Sequence, residues 1–277
     1  MRAGEPSRTA FGAAVHRAVH QDLDEGRIFT DPLAWTILGG DREQLLDDAR
    51  AADRFLLRTF IAVRHRFAED GLAAAVARGL GQAVVLGAGL DTFAYRNPHP
   101  GLRVFEVDFP ATGEWKAEQL GTAGIEVPDG VVFVGCDFEH DDFLERLVAA
   151  GLDPKRPTYF LWLGVVPYLS REAVTTTLRR IGSIPGGEVV LDYPTELRGL
   201  SRQAKAMRKE LARRVAAAGE PFTGNFTPSE MAELLHAAGF DEIEDLGASE
   251  IGERYLGLPA TGRAGGGHVV RARVTGS

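Results

Sequence analysis

The stretch Val84 to Thr92, V-V-L-G-A-G-L-D-T, limits what this chain can fold into more than any other, because an apolar run passes unbroken into a glycine-bracketed turn. Gly87 and Gly89 lack a Cβ, so the backbone can turn sharply there and a ligand can lie against it. Asp91 and Thr92 stand where a helix would begin. A second apolar run, Leu102 to Val107, ends in Asp108, about 20 residues beyond the loop, where a nucleotide-binding α/β fold places a ribose-binding acid. The pair predicts a strand, a cofactor loop and a second strand ending in a carboxylate.

Charge discriminates between adenosine ligands. A pyrophosphate favours a third glycine and an uncluttered helix N-terminus, yet Thr92 fills the third place and Asp91 adds a negative charge. S-adenosylmethionine carries no phosphate but a sulfonium and an ammonium, and suits an acidic loop better. The remaining reading is that Asp91 only caps the next segment and Gly89 only makes a turn.

The 277 residues, 44% of them hydrophobic, suit one large α/β domain with an added helical segment. A formal charge of −8 and a pI near 5.4 argue against nucleic-acid or anionic-membrane partners and favour a small molecule. The single cysteine, Cys136, sits in an apolar run and reads as a buried, inert thiol in a cytoplasmic protein. No apolar segment approaches the roughly 20 residues needed to span a bilayer. Secretion is not expected, and the protein is expected to be a monomer or homodimer.

The first 80 residues read as helices: Thr9 to Asp22, a D-P break at Asp31-Pro32, a long stretch from about Asp41 to Arg66, and another from Glu69 to Leu80. From residue 81 onward apolar runs alternate with helical or loop segments. The strands are expected at Ala83 to Leu86, Arg103 to Val107, Val131 to Gly135, Thr158 to Leu163, Glu188 to Asp192, Glu242 to Leu246 and His268 to Val274. Seven such runs predict a doubly wound sheet. The last two, joined by a short irregular segment, could pair antiparallel. Between the fifth and sixth runs, Leu200 to Ala218 is basic and alanine-rich and reads as a lid helix, spanning about 199–220. The chain is expected to be one domain, 1–277, in which 1–80 is a helical cover and 81–277 the core.

An ordered set of motifs resembles the leucine carboxyl methyltransferase family. It comprises S-R-T-A at Ser7 to Ala10, D-P-L-A at Asp31 to Ala34, V-R-H-R-F-A-E-D at Val63 to Asp70, V-V-L-G-A-G-L-D-T-F-A-Y-R at Val84 to Arg96 and V-F-E-V-D-F-P at Val104 to Pro110. It continues with C-D-F at Cys136 to Phe138, G-V-V-P-Y-L at Gly164 to Leu169, F-T-P-S-E at Phe226 to Glu230 and A-G-F at Ala238 to Phe240. The resemblance covers nearly the whole chain. It implies an S-adenosylmethionine-dependent methyltransferase with the Rossmann-like seven-stranded sheet of class I methyltransferases. The branch most resembled contains bacterial enzymes, some acting on polyketide or other natural-product acceptors.

The resemblance also implies site residues. Gly87, Ala88 and Gly89 would lie along the methionine part of the cofactor, Asp108 with Phe109 beside the ribose, and Asp137 and Phe138 around the adenine. Arg64 would pair with the cofactor carboxylate, with Arg66 as the alternative because R-H-R leaves the register open by two. In many relatives the fourth strand ends in glutamate before G-V, whereas here Leu163 stands in that place. A carboxylate role cannot pass to Leu163, although a cofactor contact can.

Methyl transfer from a sulfonium is an in-line displacement, in which orientation and exclusion of water supply much of the acceleration. A carboxylate acceptor, with a pKa of about 4, needs no general base, whereas a phenol, near 10, benefits from one. None of the seven histidines falls in the fourth-strand segment, and His16 in the N-terminal helix is the one considered as a base. Acceptor contacts are expected from Tyr168, Tyr193, Arg198 and Arg17. No metal-ligand cluster or Ser/His/Asp set is apparent. The leading expectation is O-methylation of a small-molecule carboxylate or hydroxyl. C- or N-methylation, an NAD-linked oxidoreductase and a non-catalytic S-adenosylmethionine-binding protein remain open at this point.

Overall fold

A computed structural model describes residues 7–52, 54–195, 205–206, 209–210, 212–213, 216, 222–260 and 266–276. Its centre is one sheet of seven strands: β1 (Gln82–Leu86), β2 (Arg103–Asp108), β3 (Val131–Gly135), β4 (Thr158–Trp162), β5 (Glu188–Pro194), β6 (Glu242–Leu246) and β7 (Gly267–Arg273). The spatial order is β3-β2-β1-β4-β5-β7-β6. β1 to β5 run parallel, and β7 runs antiparallel to both β5 and β6. β1 pairs with β2 on one side and β4 on the other, so the chain reverses direction across the sheet at β1. Ligands in open α/β sheets bind beyond the strand ends at such a point.

Ten helices are described: α1 (Arg8–Leu23), α2 (Ala34–Leu38), α3 (Arg42–Ala52), α4 (Phe55–Ala77), α5 (Phe93–Arg96), α6 (Pro110–Ala123), α7 (Phe143–Ala149), α8 (Arg171–Gly182), α9 (Pro228–Ala237) and α10 (Ala248–Leu256). Alternation along the strands divides the core. Val84, Leu86, Phe160, Trp162 and Leu191 face α7, α8 and α9, while Ala83, Val85, Tyr159, Leu161 and Val190 face α4. A third cluster joins Ala14 and Ala18 of α1 to Ile37 and Leu38 of α2 and to Leu90 beyond β1. That cluster sets the N-terminal helices over the cofactor-loop end of the sheet.

The F-T-P-S-E motif is a helix start. Thr227 Oγ1 accepts from the Glu230 amide at 3.2 Å, Glu230 Oε2 accepts from the Thr227 amide at 2.7 Å, and Pro228 opens the helix where its missing N–H costs nothing.

The N-terminal helices differ from the sequence expectation. The stretch expected from Asp41 to Arg66 breaks after Ala52, and α4 then runs on through Ala77 in place of stopping at Arg66. The reason is burial. Phe67 and Ala68 are enclosed in the core below α4, so the buried face continues past Arg66, whereas α3 buries only Leu46. The segment joining β6 and β7, expected to be irregular, contains α10. Glu250 Oε2 accepts from the Gly247 amide at 3.1 Å and closes its first turn. Most of the expected lid helix at about 199–220, and Arg198, lie outside the described residues.

Candidate functional site

The ends of β1, β2 and β3 are tied laterally by backbone bonds. The amides of Gly87 and Ala88 both donate to the Val107 carbonyl, at 2.7 and 3.1 Å, and the Cys136 amide donates to the Asp108 carbonyl at 2.8 Å. Gly87 has φ +69° and Gly89 φ +46°, the left-handed region where a Cβ is costly. A Cβ on Gly87 would stand 2.2 Å from Val165 Cγ2, and one on Gly89 would stand 2.8 Å from Ala10 Cβ. The loop is therefore closed in by the first turn of α1 on one side and by the residues after β4 on the other.

Asp108 meets this loop directly. Its Oδ2 accepts from the Gly89 amide at 2.6 Å and its Oδ1 from the Phe109 amide at 2.7 Å. These two bonds hold the carboxylate against the loop and orient it. Phe109 is half-buried just before α6. After β3, Asp137 Oδ1 accepts from the Glu139 amide at 3.0 Å, and the half-buried Phe138 ring packs against Phe143 at 6.2 Å. Cys136 is buried, and burial pushes its thiol up to about 12, as an inert core thiol requires.

Of the two arginines left open by R-H-R, only Arg64 is buried, at 8% exposure. Its Nη1 donates to Asp192 Oδ2 at 3.1 Å, and Asp192 Oδ1 in turn accepts from the Gly164 amide at 2.5 Å. A Cβ on Gly164 would lie 2.8 Å from Arg64 Nη2, so the missing side chain makes room for the guanidinium. Arg64 Nε is buried and has no hydrogen-bond partner. Arg66 points outward and pairs with Asp70 at 2.8 Å. Neither Asp192 nor Gly164 was singled out from the sequence, although both stand directly at the ends of apolar runs.

Leu163, at the end of β4, packs on the α4 side of the core. Tyr168 lies in the 3-10 turn Val166–Tyr168, with its ring 5.3 Å from that of Phe222. Two residues expected to contact the acceptor are buried and bonded within the protein. Arg17 is 3% exposed; its Nε donates to Asp31 at 2.7 Å and its Nη2 to the Leu90 carbonyl at 2.6 Å. Tyr193 is 1% exposed, and its hydroxyl donates to Asp245 at 2.5 Å. Both polar ends are committed within the protein.

Behind the loop lies a buried polar network that no local sequence pattern announces. Asp31 Oδ2 receives Arg17 and also the Thr92 hydroxyl at 2.7 Å. Arg96 donates to Thr92 Oγ1 at 3.0 Å and grips Glu69 with two nitrogens. The D-P-L-A, A-E-D and L-D-T-F-A-Y-R motifs thus meet in space, fastening α1 and α4 to the cofactor loop. His16, on the buried face of α1, has its imidazole pushed down to about 4 by burial and by the Arg58 and Arg64 cations. Such a group resists protonation, which works against the base role considered for it.

The family profile described as leucine carboxyl methyltransferase matches residues 10–182, more than half of the chain. The chain belongs to the leucine carboxyl methyltransferase family. YktD of Bacillus subtilis (strain 168), named as an inferred S-adenosyl-L-methionine-dependent methyltransferase, is 29% identical over 284 residues, which cover 92% of this chain and 93% of that protein. A similarly named protein of Mycobacteroides abscessus is 32% identical over 207 residues, covering 72% of this chain and 68% of the relative. A solved DUF574 family protein from Streptomyces avermitilis MA-4680 shares the fold, with a TM-score of 0.60 at 18% identity over 95% of this chain and 96% of that one. This member of the leucine carboxyl methyltransferase family is an S-adenosylmethionine-dependent methyltransferase with a class I methyltransferase fold, which sets aside the NAD-linked alternative. Its residues fit that cofactor: Gly87 and Gly89 put no side chain on the loop, Asp108 places a carboxylate against it, and Arg64 Nε is a buried donor without a partner. Among the described residues no helix is long and apolar enough to cross a membrane, and no His, Cys, Asp and Glu cluster could hold a metal.

Proposed function

We propose that this enzyme methylates an oxygen, a carboxylate or a hydroxyl, of a small molecule of the natural-product type. One observation carries the reading: the chain leaving β4 is Leu163-Gly164-Val165-Val166, with no carboxylate, imidazole or amine among its side chains. An acceptor held there finds no proton-accepting side chain on that segment. A carboxylate, ionised at neutral pH, suits such a segment better than a phenol.

S-adenosylmethionine, when bound, supplies a methyl group on a cationic sulfonium. Gly87, Ala88 and Gly89 would let the backbone approach its methionine part, and Arg64 would take its carboxylate in a charge-assisted bond. Asp108 would accept from the ribose hydroxyls, with Phe109 alongside. Asp137 would accept from the adenine amino group while Phe138 packs on the ring face. Leu163 would contribute apolar contact at the reacting end. On the acceptor side Tyr168 remains the candidate among the described residues. Small-molecule acceptors also fit the net charge of −8, which disfavours association with a polyanion.

The test is incubation with methyl-labelled S-adenosylmethionine and a panel of carboxylic acids and phenols, alongside a protein ending in leucine. Label in a small-molecule fraction that mild alkali releases as methanol supports a methyl ester, and alkali-stable label a methyl ether. Label only in the protein, or on carbon or nitrogen, would overturn the proposal.

A further inference from the structure

Three buried nitrogens on two facing helices have no partner: His16 Nδ1 on α1, and Arg64 Nε and His65 Nε2 on α4. Helices α1 and α4 pack together; His16 on α1 is 9% exposed and Arg64 on α4 8% exposed. His16 Nδ1 and Arg64 Nε both lack a hydrogen-bond partner. An unmet buried polar group is costly, and His16 Nδ1 and Arg64 Nε, on facing helices, point to something that meets both.

The surroundings define its chemistry. The cations felt at His16 are Arg58 and Arg64. Arg58 is closed off by Asp24, which accepts from its Nε at 2.5 Å and its Nη2 at 2.9 Å. Arg64 donates to Asp192 at 3.1 Å through Nη1, while its buried Nε has no partner. The other two buried histidines of these helices have a partner at Nδ1, although His65 Nε2 has none. His20 Nδ1 lies 2.9 Å from Asp24 and its Nε2 accepts from the Ile28 amide at 3.4 Å, while His65 Nδ1 lies 3.4 Å from Asp91 and its ring stacks on Phe29. His16 alone among the three has no anionic or backbone partner at Nδ1. Held neutral by burial and by the two guanidinium groups, its imidazole can present one N–H, and an anion is what both that N–H and the Arg64 Nε–H would bind.

We infer that His16 is a cofactor-binding residue, whose Nδ1–H meets the same carboxylate as Arg64 Nε–H, that of the amino-acid end of the cofactor. This rests on the assignment of the cofactor site to the β1 loop and Arg64. It gives His16 a role in binding in place of proton transfer, and makes the cover helix part of the cofactor site.

The experiment compares two ligands that differ in this end: S-adenosylhomocysteine, which has the carboxylate, and 5′-methylthioadenosine, which lacks the whole amino-acid part. Calorimetry on the full chain should show His16→Ala weakening S-adenosylhomocysteine about tenfold or more while leaving 5′-methylthioadenosine within about twofold, as loss of a bond to a charged group predicts. His16→Asn, which keeps an N–H near the Nδ1 position, should recover most of the loss. An equal loss for both ligands would reduce His16 to a structural residue, and no loss for either would remove it from the site. Wild-type protein that binds neither ligand would bring down the site assignment itself, and this inference with it.

Discussion

The carboxylate of Asp108 holds the amide of Gly89 at 2.6 Å, so the acid that ends β2 and the glycine loop that follows β1 form one unit. The bond fixes the loop's left-handed turn and aims the carboxylate at the same time. A ligand bridging the two strand ends meets a surface set before it arrives, which lowers the ordering cost of binding.

Gly87→Ala should destabilise the fold by roughly 2 to 4 kcal/mol, combining the left-handed backbone penalty at φ +69° with a Cβ 2.2 Å from Val165. Urea unfolding of Gly87→Ala with and without Val165→Ala separates the two causes. Partial recovery in the double variant is expected; none would mean that the clash is relieved elsewhere.

Asp31→Ala should be among the most damaging substitutions outside the cofactor contacts. It leaves Arg17 buried at 3% exposure without its anion, and removing one partner of a buried pair costs about 3 to 5 kcal/mol. Arg66→Ala, which breaks an exposed pair with Asp70, should change stability by no more than about 0.5 kcal/mol. Thermal melts of the two variants side by side check the contrast.

Stability should fall on acidification partly through His16. Its folded-state value, near 4, lies below the ordinary 6.5, so between these values the unfolded chain binds a proton that the folded chain refuses. The contribution is fully present above about pH 6.5, declines as pH drops towards 4, and amounts to about 2 to 3 kcal/mol. His65, which burial holds well below its usual range, adds in the same direction, while Glu69 and Glu106, raised by burial, act oppositely. The difference between wild type and His16→Asn in urea midpoints from pH 7.5 to 4.5 isolates the His16 share. Parallel curves would contradict the shift.

The sheet was legible because β1, β4 and β5 are buried on both faces and read as unbroken apolar runs. Edge strands β3 and β6, half-exposed, were visible through their β-branched and alternating residues. The continuation of α4 past Arg66 was not legible, because Phe67 and Ala68 owe their burial to tertiary contacts that no local pattern announces. Gly87, Gly89 and Asp108 could be located by spacing. Asp192, Asp31 and the partners of Arg17 and Tyr193 could not, since each pairs with residues between 14 and 128 positions away. Long-range pairing of that kind decides whether an arginine or a tyrosine faces a ligand or the interior.

Calorimetric titration of wild type and Asp108→Ala with S-adenosylhomocysteine, and of wild type with NAD, tests the central assignment most directly. The wild type should bind the sulfur nucleoside and ignore NAD, and Asp108→Ala should weaken binding by about 1 to 3 kcal/mol through loss of charged hydrogen bonds. Unchanged affinity in the variant, or binding of NAD in place of S-adenosylhomocysteine, would contradict the assignment of the cofactor to the Gly87–Gly89 loop and Asp108.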